Sequence, residues 1–415
     1  MAYTEKQTTS YGTRVGRSFK GILAGIILFI GGTVLLWWNE GRAVRTADML
    51  EEAQKACVVM ENPSKKEKSL EGELVCGTAM ATTEDSLVDK DFGIGANAIS
   101  LIREVEYFQW VESRHEETED KLGGKEEKTI TYTYDKKWVD SPISSAEFKE
   151  SGHTNYALTT VEPEQQWAQN VTFGAYTLNE SLIHSMSSTE PLELNLSDEL
   201  MGQLEKNTLE AYERFNGQRA VLPTDSGYHY IHVSDNQLYV GLNAAAPQVG
   251  DVRVTFKKVM PAKVTVVSVV DDDTFKPFKA SNGELFQKLV TGKKSIEEIF
   301  DGEKSVNTIL TWLFRLLGTL LVIWGLKAMF AFIETILKVV PFLANIVGWG
   351  VGLVCTIVGV VWSLIVIAIA WLFYRPVLGI TLLVIAGLLV WIFAFGGKNK
   401  IKELANKKKD EPAQA

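Results

Sequence analysis

Enzyme chemistry needs reactive side chains at workable spacings, and the histidines are the first place to look: His115, His153, His184, His229 and His232. A zinc hydrolase helix carries two histidines four apart around a glutamate, so that both imidazoles reach one ion from one face. HEETED, starting at His115, lacks the second histidine, and His229 and His232 would leave a strand on opposite faces. Asp271, Asp272 and Asp273 are adjacent carboxylates in a turn, where solvation is their ordinary state. FGIGANA, Phe92 to Ala98, has glycines without the spacing of a dinucleotide loop, and there is no GxSxG elbow or Walker A loop. No catalytic residue, metal site or cofactor is expected, and the chain is not expected to be an enzyme.

Of three cysteines, Cys355 falls in an apolar run, while Cys57 and Cys76 lack the CxxC spacing of a redox or zinc motif. A Cys57–Cys76 disulfide would close a loop of about 20 residues and stabilise by roughly 3 kcal/mol, but two cysteines alone leave pairing open. Asn170, Asn179 and Asn195 head Asn-x-Ser/Thr triplets, available for glycan only in a eukaryotic lumen.

The elements around these residues are set by hydropathy. Gly21 to Trp38 holds no Asp, Glu, Lys or Arg, and as a helix it reaches roughly 27 Å, close to the hydrocarbon thickness of a bilayer. Bulky Trp37 and Trp38 replace the small residues of a signal cleavage site and suit the headgroup level, so an uncleaved anchor is expected. A second span is expected over 309–330, with Arg315 snorkelling to the interface. Val339 to Tyr374 is uncharged and would reach roughly 54 Å as one helix. Pro341 therefore suggests a cytoplasmic-side surface or re-entrant helix over 331–347, followed by spans at 348–374 and 377–395. Within these spans no buried carboxylate with a partner is expected. Gly21 with Gly25, and Gly348 with Gly352, permit close helix approach, within one bundle or between copies.

Basic residues cluster at Arg14, Arg17 and Lys20, at Lys327 and Lys338, and in the tail from Lys398 to Lys409. Four spans put all three clusters on one side, which the positive-inside rule makes cytosolic. Both termini are then cytoplasmic (1–20 and 396–415), with 39–308 extracytoplasmic. Segments 1–20, 309–395 and 396–415 are each basic by +3, so the overall −9 leaves −18 on 21–308. Such a domain repels nucleic acid and anionic headgroups.

That domain reads as α+β and β-rich. REVEYFQWVESR and KTITYTYDKKWV alternate on either side of Gly123-Gly124, a hairpin signal that could bring Trp110 towards Trp138. Further strands are expected at 169–178, 228–233, 237–240, 251–258 and 263–270, a layout that admits two lobes (57–190 and 215–290). A helix capped by Ser197 and Asp198 falls between them, and the helix of the first span continues to about Cys57. The fold class is four transmembrane helices plus this domain.

TSYGTRVGRSFKGI and LLWWNEGRAV around the first span, REVEYFQWVES and YTYDKKWVDSPI in the hairpin, PQVGDVRVTF, and AWLFYRP at Ala370 to Pro376 together resemble the transmembrane protein 43 (LUMA) family. The resemblance covers nearly the whole chain. It implies a four-span protein of the endoplasmic reticulum and inner nuclear membrane, binding lamins and emerin in animals, or of the inner membrane in bacteria. It brings no catalytic residues. The expected function is a membrane scaffold that contacts the bilayer, other membrane proteins and further copies of itself; the alternative is a transporter or channel. Candidate interaction residues lie at one membrane edge: Trp37, Trp38, Asn39, Glu40, Gly41 and Arg42, with Tyr374, Arg375 and Pro376. Their shared depth suggests that the two motifs touch, with Glu40 facing Arg375.

Overall fold

The structure, a computed structural model, describes residues 3–214, 229–339, 341–377, 379–381 and 384. Two compact units emerge: a β-rich one of strand Tyr3–Thr9 with Met49–Glu119 and Glu126–Asp301, and a helical one of Ser10–Asp48, Asp120–Lys125 and the chain from Gly302 onward.

In the β-rich unit the strands begin with β1 (Tyr3–Thr9), β2 (Val58–Met60), β3 (Leu74–Thr83), β4 (Ser86–Asp89) and β5 (Ile94–Asn97). The long hairpin is β6 (Ser100–Asp120) and β7 (Glu126–Val139). Short strands β8 (Glu164–Trp167), β9 (Val171–Phe173), β10 (Tyr176–Thr177) and β11 (Thr189–Pro191) follow, then β12 (Ile231–Ser234), β13 (Gln237–Val240), β14 (Val252–Val259), β15 (Ala262–Asp271) and β16 (Thr274–Lys276). One sheet has the order β1-β7-β6-β14-β13-β12, and another β10-β9-β3-β15-β16.

Alternation explains the first sheet: Leu101, Arg103, Val105, Tyr107 and Gln109 of β6 are buried, as are Val252, Val254 and Phe256 opposite them on β14. Val264 to Val270 of β15 is buried on both faces, which a continuous valine-rich run allows and an alternating one would not. Each sheet combines strands from both ends of the domain, so the suggested division into lobes at 57–190 and 215–290 does not hold. Trp110 and Trp138 also do not pair; Trp110 meets His153 at 4.5 Å and Trp138 meets Phe108 at 5.2 Å. The expected strand 228–233 begins at Ile231, and position 228 lies outside the described residues.

Arg103 is a buried charge of this unit. It forks onto both Asp89 oxygens at 2.8 and 2.7 Å, and the same Asp89 accepts the Asp91 and Phe92 backbone N–H groups. Asp85, in contrast, is half-buried and accepts from the Gln169 and Asn170 backbones and from the Asn170 amide. The Asn170 backbone bond, followed by its side chain, holds the Asp85 carboxyl below the usual carboxylate range. The lowered folded value means that its stabilising effect is present above the unfolded pKa of about 3.9 and is lost as pH falls through the folded one. Amide exchange at Gln169 and Asn170, normalised for the intrinsic rate, is expected to lose protection on acidification in this window, and Asp85→Asn to abolish that dependence. Of the other triplets, Asn179 caps α2 (Glu180–Ile183) and Asn195 is exposed. Ser197 caps α3 (Asp198–Arg214), its hydroxyl oxygen accepting from the Leu200 backbone N–H at 3.2 Å.

In the helical unit, α1 (Tyr11–Ala56), α4 (Ile296–Leu337) and α5 (Pro341–Tyr374) contain the three helices long and apolar enough to span a bilayer among the described residues. The fourth expected span, 377–395, falls mostly outside the described residues. No separate helix covers 331–347: α4 runs to Leu337 and α5 starts at Pro341. A first-turn proline loses no intrahelical bond, so Pro341 opens a helix here instead of closing one.

α1 and α4 run antiparallel along a glycine seam. A Cβ on Gly25 would fall 2.7 Å from the Gly325 carbonyl oxygen, and one on Gly32 would fall 2.8 Å from that of Gly318. Gly25 thus serves packing inside the unit, and Gly348 does so against the Glu334 carboxyl. Gly32→Val should cost about 1–3 kcal/mol through forced separation, read as a lower melting temperature in detergent. Gly31→Ala, with open space around it, is the silent control.

The turn between β6 and β7 belongs to this unit. Arg14, which is buried, donates to Asp120 at 2.6 Å and to the Gly124 carbonyl at 3.1 Å, and Lys338 lies 3.3 Å from Asp120. The expectation that all of 39–308 stands across the membrane from Arg14 and Lys338 therefore fails for Asp120–Lys125. The N-terminal segment brings a second departure, since Tyr3–Thr9 is a strand on β7, with Tyr3 opposite Tyr132.

Candidate interaction site at the Asn39–Arg42 motif

The motif Asn39-Glu40-Gly41-Arg42 sits on α1 just past the apolar run. Facing it on α4 are Asn307, Thr311 and Arg315, spaced four apart and hence on one stripe. The end of α5 supplies Trp371 and Tyr374, one turn apart.

Glu40 is 2% exposed, and a bare carboxylate so placed would be strongly disfavoured. Both of its oxygens are occupied: Arg315 donates Nε at 2.7 Å and Nη2 at 2.8 Å, and Trp371 adds its indole N–H at 2.7 Å. The Arg315 guanidinium also lies over the Trp312 and Trp371 rings, at 4.9 and 5.5 Å from their centroids. Asn39, fully buried, donates to the Thr311 carbonyl at 3.0 Å. Arg42 donates to Asn307 at 3.0 Å, to Thr311 Oγ1 at 3.1 Å and to Asn39 at 3.2 Å, and Asn307 returns a bond to the Ala43 carbonyl at 2.9 Å. The cluster joins three helices through charge-assisted bonds.

The expected contact between the two motifs exists, but through other residues. Gly41 leaves room for the Tyr374 ring, which a Cβ would meet at 2.7 Å, and Trp37 packs on Phe373 and Tyr374 at 5.6 and 5.8 Å. Trp38 is half exposed with its ring edge on Phe314, as suits a headgroup-level indole. Arg375 and Pro376 are exposed, and Arg375 is not the partner of Glu40. Arg315 turns to Glu40, so a buried carboxylate with a partner lies just past the first expected span; Glu40 is two residues beyond the uncharged run, and its burial depends on α4. Asn307, Thr311, Arg315 and Trp371 were missed as site residues. The readable signal was N-x3-T-x3-R, a polar stripe at helical spacing entering an apolar segment.

His115, His184 and His229 are exposed, while His153 stacks on Tyr134 at 4.0 Å. Among the described residues, no three His, Cys, Asp or Glu side chains are grouped as a metal ion would need.

A bundle of apolar helices closed by a buried ion pair and linked to a β-rich unit defines an integral membrane protein with a large polar part. A family model described as Transmembrane protein 43 matches residues 107–376. The rat protein of that name is 30% identical over 376 residues, covering 88% of this chain and 86% of its own. The human one is 30% identical over 388 residues, covering 90% and 89%, and the Drosophila melanogaster homolog is 28% identical over 377 residues, covering 87% and 90%. The chain belongs to the transmembrane protein 43 family. No solved structure matches it.

Proposed function

We propose that the chain is a non-enzymatic membrane scaffold that organises membrane protein complexes through its β-rich unit and its spans. The observation that carries this reading is the closed state of Glu40, whose oxygens are bonded to Arg315 and Trp371. Coupled transport needs intramembrane charges that can be released, and breaking this pair would leave two uncompensated charges in low dielectric. A fixed lock suits a rigid platform better than a moving carrier. In an animal cell the proposed home is the endoplasmic reticulum and inner nuclear membrane, with lamins and emerin among the partners; in a bacterium it is the inner membrane, with neither. Crosslinking in the membrane followed by purification in mild detergent should recover another membrane protein or a second copy in stoichiometric amount. A strictly monomeric chain without partners would refute the scaffold.

From the basic bias of the span ends we infer that Arg14 and Lys338 face the cytosol, and that the turn Asp120–Lys125, bonded to those residues, shares that side. In a cysteine-free background, Leu122→Cys and Ser10→Cys are expected to react alike with a membrane-impermeant maleimide, both only after the cytosolic face is opened. Labelling of Leu122→Cys alone in sealed cells would show the turn on the other side.

A further inference from the structure

Cys57 and Cys76 meet at the point where α1 passes into the sheet. β2 and β3 run parallel, with Val59 opposite Cys76. Cys57 precedes Val59 by two residues, so its side chain leaves the extended backbone on the face that Cys76 occupies. Both are free thiols, and Cys57 packs against the buried cluster that holds Cys76.

Their surroundings differ. Cys76 lines a cavity of about 530 Å³, where Lys263, Lys293 and Lys294 stand with Glu61 and Glu297. The neighbouring Cys57 thiol holds the Cys76 thiol below its ordinary range, while the Cys76 thiol and burial push the Cys57 thiol up. The thiolate is the reactive form in disulfide exchange, so the cavity-lining sulfur is the one suited to attack.

We propose that Cys57 and Cys76 form a reversible dithiol–disulfide pair in which Cys76 meets the oxidant and Cys57 resolves it. The oxidant is a small disulfide such as oxidised glutathione. The Cys76 thiolate attacks one of its sulfurs, a Cys76–glutathione bond forms, and one glutathione thiolate leaves. Cys57 gives up its proton to that thiolate and attacks Cys76 Sγ, expelling the second glutathione thiolate, which takes a proton from water. Two protein thiols are oxidised and one disulfide is reduced to two thiols. The new bond ties the exit of α1 to β3, which lies between β9 and β15 in its sheet. Helix and sheet would then be joined covalently under oxidising conditions and by packing alone under reducing ones. The proposal is independent of the scaffold reading.

The test uses the full chain in mild detergent, equilibrated with mixtures of reduced and oxidised glutathione, quenched with acid, alkylated and digested for mass spectrometry. The expected product is a linked Cys57–Cys76 peptide pair, lighter by two hydrogens, that appears as the oxidised fraction rises and disappears when it falls, with Cys355 still alkylated as a thiol. Cys57→Ser should trap glutathione on Cys76, at a rate at least about tenfold above that at Cys57 in Cys76→Ser. Unchanged circular dichroism confirms that both variants are folded. Native chain that stays alkylated at both cysteines, or that keeps glutathione on Cys76 with Cys57 present, would overturn the pair; equal trapping rates would overturn the role given to Cys76.

Discussion

Replacing Glu40 with alanine should lower the stability of the helical unit by about 3–5 kcal/mol, because Arg315 would keep its charge in a buried site with its main partner gone. Arg315→Ala should cost a similar amount by orphaning Glu40, which is 2% exposed. Trp371→Phe removes one donor to the carboxylate and keeps most of the ring packing, so about 1–3 kcal/mol is expected. Thermal unfolding in detergent, followed by tryptophan fluorescence for the first two, separates these outcomes. The ordering matters more than the absolute values: loss of either charge must exceed loss of the indole N–H. Replacing both charges with Leu and Met should restore much of the loss, since well-packed apolar pairs often equal a buried ion pair.

The second large effect belongs to the β-rich unit. Asp89→Ala should cost about 3–5 kcal/mol, since Arg103 is only 4% exposed and would lose both bonds of its fork. The Asp91 and Phe92 N–H groups would also lose their acceptor. Arg103 retains the Glu162 carbonyl and Asp91, so Asp89→Asn, which keeps one acceptor oxygen, should fall between alanine and native. Chemical denaturation monitored through hydrogen exchange of β6 and β14 amides reads this unit apart from the helices. A cost below about 1 kcal/mol for Asp89→Ala would show that Arg103 is satisfied without the pair.

Local signals were legible and long-range pairings were not. The β6–β7 hairpin could be read from alternation and from Gly123-Gly124, whose φ of +84° and +76° require glycine. The valine run of β15 and the Ser197 cap were equally readable, because each depends on near neighbours. Strand β1 was not legible: YTEKQTT lacks apolar alternation, and its partner on β7 lies more than a hundred residues away. The same limit governed the site. Trp37, Trp38 and the charges after them marked a membrane edge, but nothing near Glu40 in the chain reveals whether Arg315 or Arg375 faces it. Both arginines lie near the end of an apolar segment. Helix packing through the Gly25–Gly325 and Gly32–Gly318 approaches brings Arg315 level with Glu40 and leaves Arg375 exposed. Pro341 misled for a related reason, since a proline can open a helix as well as end one, and the choice depends on whether the preceding residues turn.

The most direct measurement is a pair of double-mutant cycles, one on Glu40 with Arg315 and one on Glu40 with Arg375, read as unfolding free energies in the same detergent. The account predicts a coupling of at least about 2 kcal/mol for the first and close to zero for the second. Additive effects for Glu40 and Arg315, or a larger coupling to Arg375, would contradict a helical unit locked through its Asn39–Arg42 motif.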